Sequence, residues 1–191
     1  MIIKHFKCGA CNCTSAKSSH YILDHEYCLK NITLYQECYD CGSLSQSPMP
    51  SEKKLQKFYP KSYHSFSGNG ILTRIRLWMR FIRIKDYLNK DDNLLDYGCG
   101  DGNFIFFAAK KLPSNKFFGY EISSNNKIIK KENVIIIKGD VQFLFKNLPD
   151  FKVITMNHTI EHLPKPKEII KKLYKKLDCA GFIEGQTCLL Y

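Results

Sequence analysis

Three glycines at alternate positions, Gly98, Gly100 and Gly102, come after the apolar pair Leu94-Leu95 and the acid Asp96, and lead into Asn103-Phe104. No other stretch restricts the fold as much. An apolar strand that ends in a carboxylate, turns through glycines and opens a helix places backbone close to a ligand, which only glycine permits. A dinucleotide site needs G-x-G-x-x-G, and counting from Gly98 its third glycine falls on Asn103. Asp96 stands two residues before the first glycine, where a carboxylate repels a pyrophosphate and suits an ammonium. A purely structural turn between strand and helix is the competing reading.

The segments beyond the loop weigh against a bare turn. Apolar runs at 93–97, 116–120, 134–138, 151–157 and about 181–187 read as strands, with helical stretches between most of them. Such alternation predicts an α/β fold, a mostly parallel sheet covered on both faces. The second run ends in Glu121, 19 residues after Gly102, the offset at which an acid binds ribose hydroxyls in Rossmann-like sites. The third leads to Gly139-Asp140-Val141. The fourth ends in Asn157-His158-Thr159-Ile160-Glu161-His162-Leu163-Pro164, which contains H-x-x-E-H. In zinc peptidases that pattern lies on a helix, whereas here it comes after a strand and meets Pro164 and Pro166 at once.

These four segments, in this order, resemble class I S-adenosylmethionine-dependent methyltransferases over about residues 50–187. The loop is similar to their motif D/E-x-G-x-G-x-G, and residues 157–164 to the segment after their fourth strand. The resemblance implies a Rossmann-like domain that binds S-adenosyl-L-methionine. Asp96, Gly98, Gly100 and Gly102 would form the methionine pocket, Glu121 would hold the ribose, and Asp140 and Val141 the adenine. Asn157 and His158 would face the methionine end, with Glu161 and His162 bracing the loop. His158 is the one candidate general base, and structural packing is its alternative role. The family sheet has seven strands and five are visible here. Cys179-Ala180-Gly181 stands where a Pro-Gly-Gly turn is usual. The expectation is a domain that binds cofactor, turns over weakly or not at all, and associates through an exposed edge at residues 181–190.

Cys8-Gly9-Ala10-Cys11 and Cys38-Tyr39-Asp40-Cys41 are two C-x-x-C knuckles, each offering two thiolates to one tetrahedral zinc. Cys13 is a substitute ligand and Cys28 a packing residue on this reading. A module so small buries little core, so metal would supply its folding energy. The expected organisation is a zinc-ribbon-like module at 1–45, a linker and amphipathic helix at 46–89, and the cofactor domain at 90–191. Ser51 to Tyr59 reads as a short helix within the linker. A cysteine knuckle ahead of Phe58-Tyr59-Pro60-Lys61-Ser62-Tyr63 resembles methyltransferases of glycan, O-antigen and deoxysugar biosynthesis, which implies a sugar or glycan-linked acceptor.

Charge opens a second functional class. The formal net charge is +11, with lysine supplying 25 of 29 basic residues. Lysines scattered in this way also arise from base composition alone; a functional reading makes RNA the partner and the chain a nucleic-acid methyltransferase. All four arginines lie in the helical stretch 71–89. There Ile71, Ile75, Trp78 and Ile82 form one apolar face, and Arg76, Arg80 and Arg83 a cationic stripe that would touch an anionic membrane or remain a solvated face. No apolar run reaches the ~18 residues of a membrane span, and no signal peptide is recognised, so a cytoplasmic location is expected.

Overall fold

The apolar runs become strands. The computed structural model describes residues 6–23, 32–50, 70–123, 126–146 and 148–187. The 51–59 helix, the Phe58–Tyr63 segment and Cys28 lie outside them. The described residues divide into two compact units, one of residues 6–23, 32–50 and 163–169, the other of residues 70–162 and 170–187.

The first unit is an antiparallel meander of β1 (Ala16–Leu23), β2 (Ile32–Cys38) and β3 (Leu44–Gln46). β1 is exposed along most of its length, and among the described residues Phe6, Cys8 and Cys38 form a buried cluster with Cys13 against it.

The second unit is a sheet whose strands, in spatial order, are Lys127–Lys131, Val134–Gly139, Lys116–Ile122, Asn93–Tyr97, Phe151–Asn157 and Leu177–Gln186. It begins with α1 (Ile71–Ile82) and a 3-10 turn at Lys85–Tyr87. Then come β4 (Asn93–Tyr97), α2 (Asn103–Lys111), β5 (Lys116–Ile122), β6 (Lys127–Lys131) and β7 (Val134–Gly139). α3 (Val141–Lys146), β8 (Phe151–Asn157), α4 (Pro166–Tyr174) and β9 (Leu177–Gln186) complete it. β4 lies centrally and parallel to both neighbours, Leu95 pairing with Phe118 of β5 and with Ile154 of β8. Strands flanked on both sides lose their alternation and become continuous apolar runs. Leu94, Leu95, Phe117, Val153 and Ile154 are all fully buried.

Three expectations are corrected. First, the connection from β5 to β7 carries β6, an antiparallel strand hairpinned to β7 with Lys131 opposite Val134. Glu132 turns that hairpin at φ +53°. The sheet thus has six strands among the described residues rather than five. Three lysines in five residues hide β6 from periodicity, yet lysine is what an edge strand carries to deter pairing.

Second, the helix predicted over 71–89 ends at Ile82, and its faces are reversed. Ile71, Ile75, Trp78 and Ile82 are all exposed, Ile71 to 77%. Phe81 and Ile84 are buried, with Leu77 packed against the same cluster. The reason is electrostatic. Asp96 is 2% exposed, and Arg80 reaches it from this helix. A buried carboxylate without a partner costs more than several wet aliphatic side chains, so the acid sets the rotation of the helix.

Third, β9 starts at Leu177 rather than near 181. It bulges against β8, Phe151 pairing with Leu177 but Val153 with Phe182. Ala180, at φ +57°, sits in the bulge where the Pro-Gly-Gly turn is usual in the family.

Candidate functional site

The glycine loop leaves β4 at the centre of the sheet. Gly98, Gly100 and Gly102 adopt φ of +81°, +55° and +78°, so each supplies a left-handed turn that other residues make at a cost. Gly102 caps α2 in this conformation. The backbone N–H groups of Gly98 and Cys99 both donate to the Tyr120 carbonyl at 2.8 Å, which ties the loop to the end of β5. A Cβ on Gly98 would lie 2.6 Å from Thr159 Cγ2, and one on Gly102 would lie 2.9 Å from Ile136 Cδ1. The side-chain space at Gly98 is held by Thr159. Cys99 is buried, and burial pushes its thiol well above the ordinary range. It packs beside Gly119.

Glu121 Oε2 accepts the Gly100 N–H at 2.7 Å, so the acid after β5 lies against the loop. Burial raises the Glu121 carboxyl above its ordinary range, with the Gly100 N–H working the other way. Asp140 Oδ1 accepts the Phe143 N–H at 2.7 Å and caps the first turn of α3, of which Val141 is the first residue. Asp140 is exposed beyond that cap.

Asp96 does not stand free. Its Oδ1 accepts Thr155 Oγ1 at 2.7 Å and Arg80 Nη2 at 3.0 Å. The Arg80 guanidinium stacks on Phe104, Cζ lying 3.9 Å from the ring centroid. Arg80 Nε and Asn157 Oδ1 are buried and make no hydrogen bond among the described residues. One turn on, Arg83 Nε pairs with Glu184 Oε1 at 3.3 Å and its Nη2 donates to Gln186 Oε1 at 3.0 Å. Asn157 Nδ2 donates to Glu184 Oε2 at 3.5 Å. As site residues, Arg80, Arg83, Thr155, Glu184 and Gln186 belong to no motif in the sequence. The concentration of every arginine in residues 71–89 is the available signal, and two of them, Arg80 and Arg83, form ion pairs with strand carboxylates.

His158 comes after Asn157 at φ +50°, and its N–H donates to the Gln186 carbonyl at 2.7 Å. The imidazole is exposed, with Nδ1 3.7 Å from Glu161 Oε1. The H-x-x-E-H residues lie on a loop and the 3-10 turn Ile160–His162, not on an α-helix, so the peptidase geometry is absent.

In the first unit the four knuckle thiols converge. The Sγ atoms of Cys8, Cys11, Cys38 and Cys41 lie within 4.8 Å of one another, Cys8 3.6 Å from Cys41 and Cys11 3.5 Å from Cys38. A tetrahedral zinc with bonds of about 2.3 Å sets its sulfurs about 3.8 Å apart, so the four thiols fit that ion. Both knuckles have the same backbone: Asn12 N–H donates to Cys8 C=O, and Gly42 N–H to Cys38 C=O. Asn12 at φ +66° and Gly42 at φ +68° occupy equivalent left-handed positions. A hydrogen bond with Ser43 brings the Cys41 thiol down to about 6. Cys13 stands outside the set and bonds with Ser15.

A glycine loop between the central strand and its helix, with acids at the carboxyl ends of the neighbouring strands, defines a Rossmann-like methyltransferase fold. The family described as "Methyltransferase domain" matches residues 72–190, and the chain belongs to it. A carboxy-S-adenosyl-L-methionine synthase of Campylobacter jejuni subsp. jejuni is 28% identical over 111 residues, 54% of this chain and 47% of that protein. A malonyl-[acyl-carrier protein] O-methyltransferase of Calditerrivibrio nitroreducens is 30% identical over 93 residues, 48% of this chain and 36% of that one. The matched stretch is thus less than half of either relative's length. Among solved structures, coclaurine N-methyltransferase bound to N-methylheliamine and SAH superposes with a TM-score of 0.47 at 16% identity. That match covers 65% of this chain and 38% of the other. Among the described residues no helix is long and apolar enough to cross a membrane.

Proposed function

We propose that the chain is an S-adenosylmethionine-dependent methyltransferase acting on a sugar or glycan-linked acceptor, with a structural zinc in its cysteine module. The observation that carries the cofactor half is the Glu121–Gly100 hydrogen bond, which holds a carboxylate against the glycine loop. When bound, the cofactor supplies an electrophilic methyl on a sulfonium. Around it, Glu121 would accept the ribose hydroxyls, and Asp140, with one oxygen on the α3 cap, would offer the other to the adenine amino group. Asp96 and Asn157 serve the amino-acid end. His158, exposed just after Asn157, would take the proton of the acceptor hydroxyl, and the Glu161 carboxylate would steady the resulting imidazolium. Most of the rate comes from alignment of the two reactants.

The sugar acceptor is supported by the cysteine module and by the Phe-Tyr-Pro-x-x-Tyr segment. The names of the two relatives point to other acceptors. A second reading, methylation of RNA, is supported by the net charge of +11 beside a cysteine knuckle. One experiment separates them. The purified chain is incubated with methyl-labelled cofactor and cell extract, and the label is traced into glycan, RNA and small molecules. Label in glycan that is lost in His158→Ala supports the proposal, label in RNA replaces it, and no incorporation with no cofactor binding ends it.

A further inference from the structure

The rotation that gives Asp96 its cation leaves an apolar surface on the other side of α1. Phe81 and Ile84 are buried in the core, with Leu77 packed beside them. Turned away from them are Ile71, Leu72, Ile75, Trp78, Met79 and Ile82, between 41% and 77% exposed. At 3.6 residues per turn these six fall within about a third of the helix circumference. Arg74 borders the stripe on one side and Arg76 on the other, both exposed, and α1 contains no acid. Lys111 of α2 extends this rim, its Nζ 5.8 Å from the Trp78 ring centroid. Phe107 meets the Trp78 ring edge-on, with 6.5 Å between centroids, and holds it at the border of the stripe. A helix that is apolar on both faces is normally buried, and an exposed apolar patch of this extent marks a contact surface.

Charge decides the occupant. Two copies joined stripe to stripe would set arginine against arginine, with no acid on either helix to offset them. An anionic bilayer meets both halves of the pattern: acyl chains take the apolar side chains, and phosphate headgroups take Arg74 and Arg76. A tryptophan beside a cation suits the boundary between headgroup and acyl chain. With 12 residues α1 is about 18 Å long, too short to cross a bilayer, so it lies in the plane of the surface. We propose that the outer face of α1 docks on an anionic phospholipid surface and inserts Ile71, Leu72, Ile75, Trp78, Met79 and Ile82 into it. The contact differs from a cationic stripe resting on headgroups, because Arg80 and Arg83 are engaged with Asp96 and Glu184 and the apolar residues carry the binding. It makes no use of the cofactor loop and stands apart from the methyl-transfer chemistry.

Trp78 is the single tryptophan of the chain, so its fluorescence reports on this face alone. The full chain is titrated with vesicles of phosphatidylcholine, and with vesicles of phosphatidylcholine and phosphatidylglycerol in equal parts. Binding at least about ten-fold tighter to the anionic vesicles is expected. Trp78 emission should move to shorter wavelength there and be quenched by brominated acyl chains. Ile75→Glu should abolish the shift. Leu72→Glu should do the same, and a glutamate in the first turn of a helix leaves the fold intact. Arg74→Gln with Arg76→Gln should cut the anionic preference at least about five-fold. The proposal is overturned by equal binding to both vesicles, by an unshifted Trp78, or by an unchanged preference in the arginine double variant. Full binding by both glutamate variants would reduce the contact to adsorption by charge and overturns it as well. A Trp78 shift that grows with protein concentration in the absence of lipid would give the face to a second copy of the chain instead.

Discussion

Gly98 shows how a residue retained for its backbone becomes a packing constraint. Its φ of +81° disfavours any side chain, and Thr159 fills the space a Cβ would need. Gly98→Ala should therefore lose about 2 kcal/mol or more in chemical denaturation, part from strain and part from the clash. Thr159→Gly added to it should recover the clash and leave about 1 kcal/mol of strain; no recovery would mean that the loop relaxes away from Thr159. Glu121 makes a different trade. Its carboxyl is held above the ordinary range by burial, so the folded chain binds that proton more tightly than the unfolded one. Stability then falls as pH rises from the unfolded value through the folded one. Glu121→Gln should remove that slope and raise the melting temperature at neutral pH, while weakening S-adenosylhomocysteine binding about ten-fold. A melting curve with unchanged pH dependence would show that Glu121 is not the source of the slope.

Among the elements, the strands were legible because burial on both faces writes continuous apolar runs, as at Leu94-Leu95 and Val134 to Ile137. The acids Asp96, Glu121 and Asp140 were legible because each ends such a run. The rotation of α1 was not. Two apolar sets compete in it, 71-75-78-82 and 77-81-84, and periodicity ranks the first higher. The deciding partner, Asp96, lies 16 residues from Arg80, and its demand for a cation is visible only once the sheet is assembled. Two truncations separate the faces. Phe81→Ala should cost about 3–5 kcal/mol of unfolding free energy, and Ile71→Ala within about 0.5 kcal/mol. Comparable losses at both positions would restore the first face. β6 was illegible for another reason: its lysines answer to its place at an edge, which a sequence does not state.

For the molecule as a whole, stability is divided unequally. Among the described residues the sheet unit has a continuous core, whereas the buried apolar cluster of the first unit is Phe6, Cys8 and Cys38. With one zinc in the cysteine cluster, metal analysis of protein prepared under reducing conditions should find one ion per chain, and Cys38→Ser should lose it. Chelation should then unfold the first unit in a separate, earlier thermal transition while the sheet unit melts unchanged. A single transition unaffected by chelator would reject the metal.

The two margins of the sheet differ in kind. β6 presents lysines at Lys127, Lys130 and Lys131, while β9 runs through Gly181, Phe182, Ile183 and Gly185. A sheet with one repelling margin and one receptive margin can be joined only once. Among the described strands, two copies meeting β9 to β9 across a two-fold axis would consume the receptive margin of each, and the product would offer lysines at both ends. Growth would stop there by symmetry. Sedimentation velocity at rising concentration should accordingly reach a dimer and go no further, and species beyond the dimer would show that β6 does not terminate assembly.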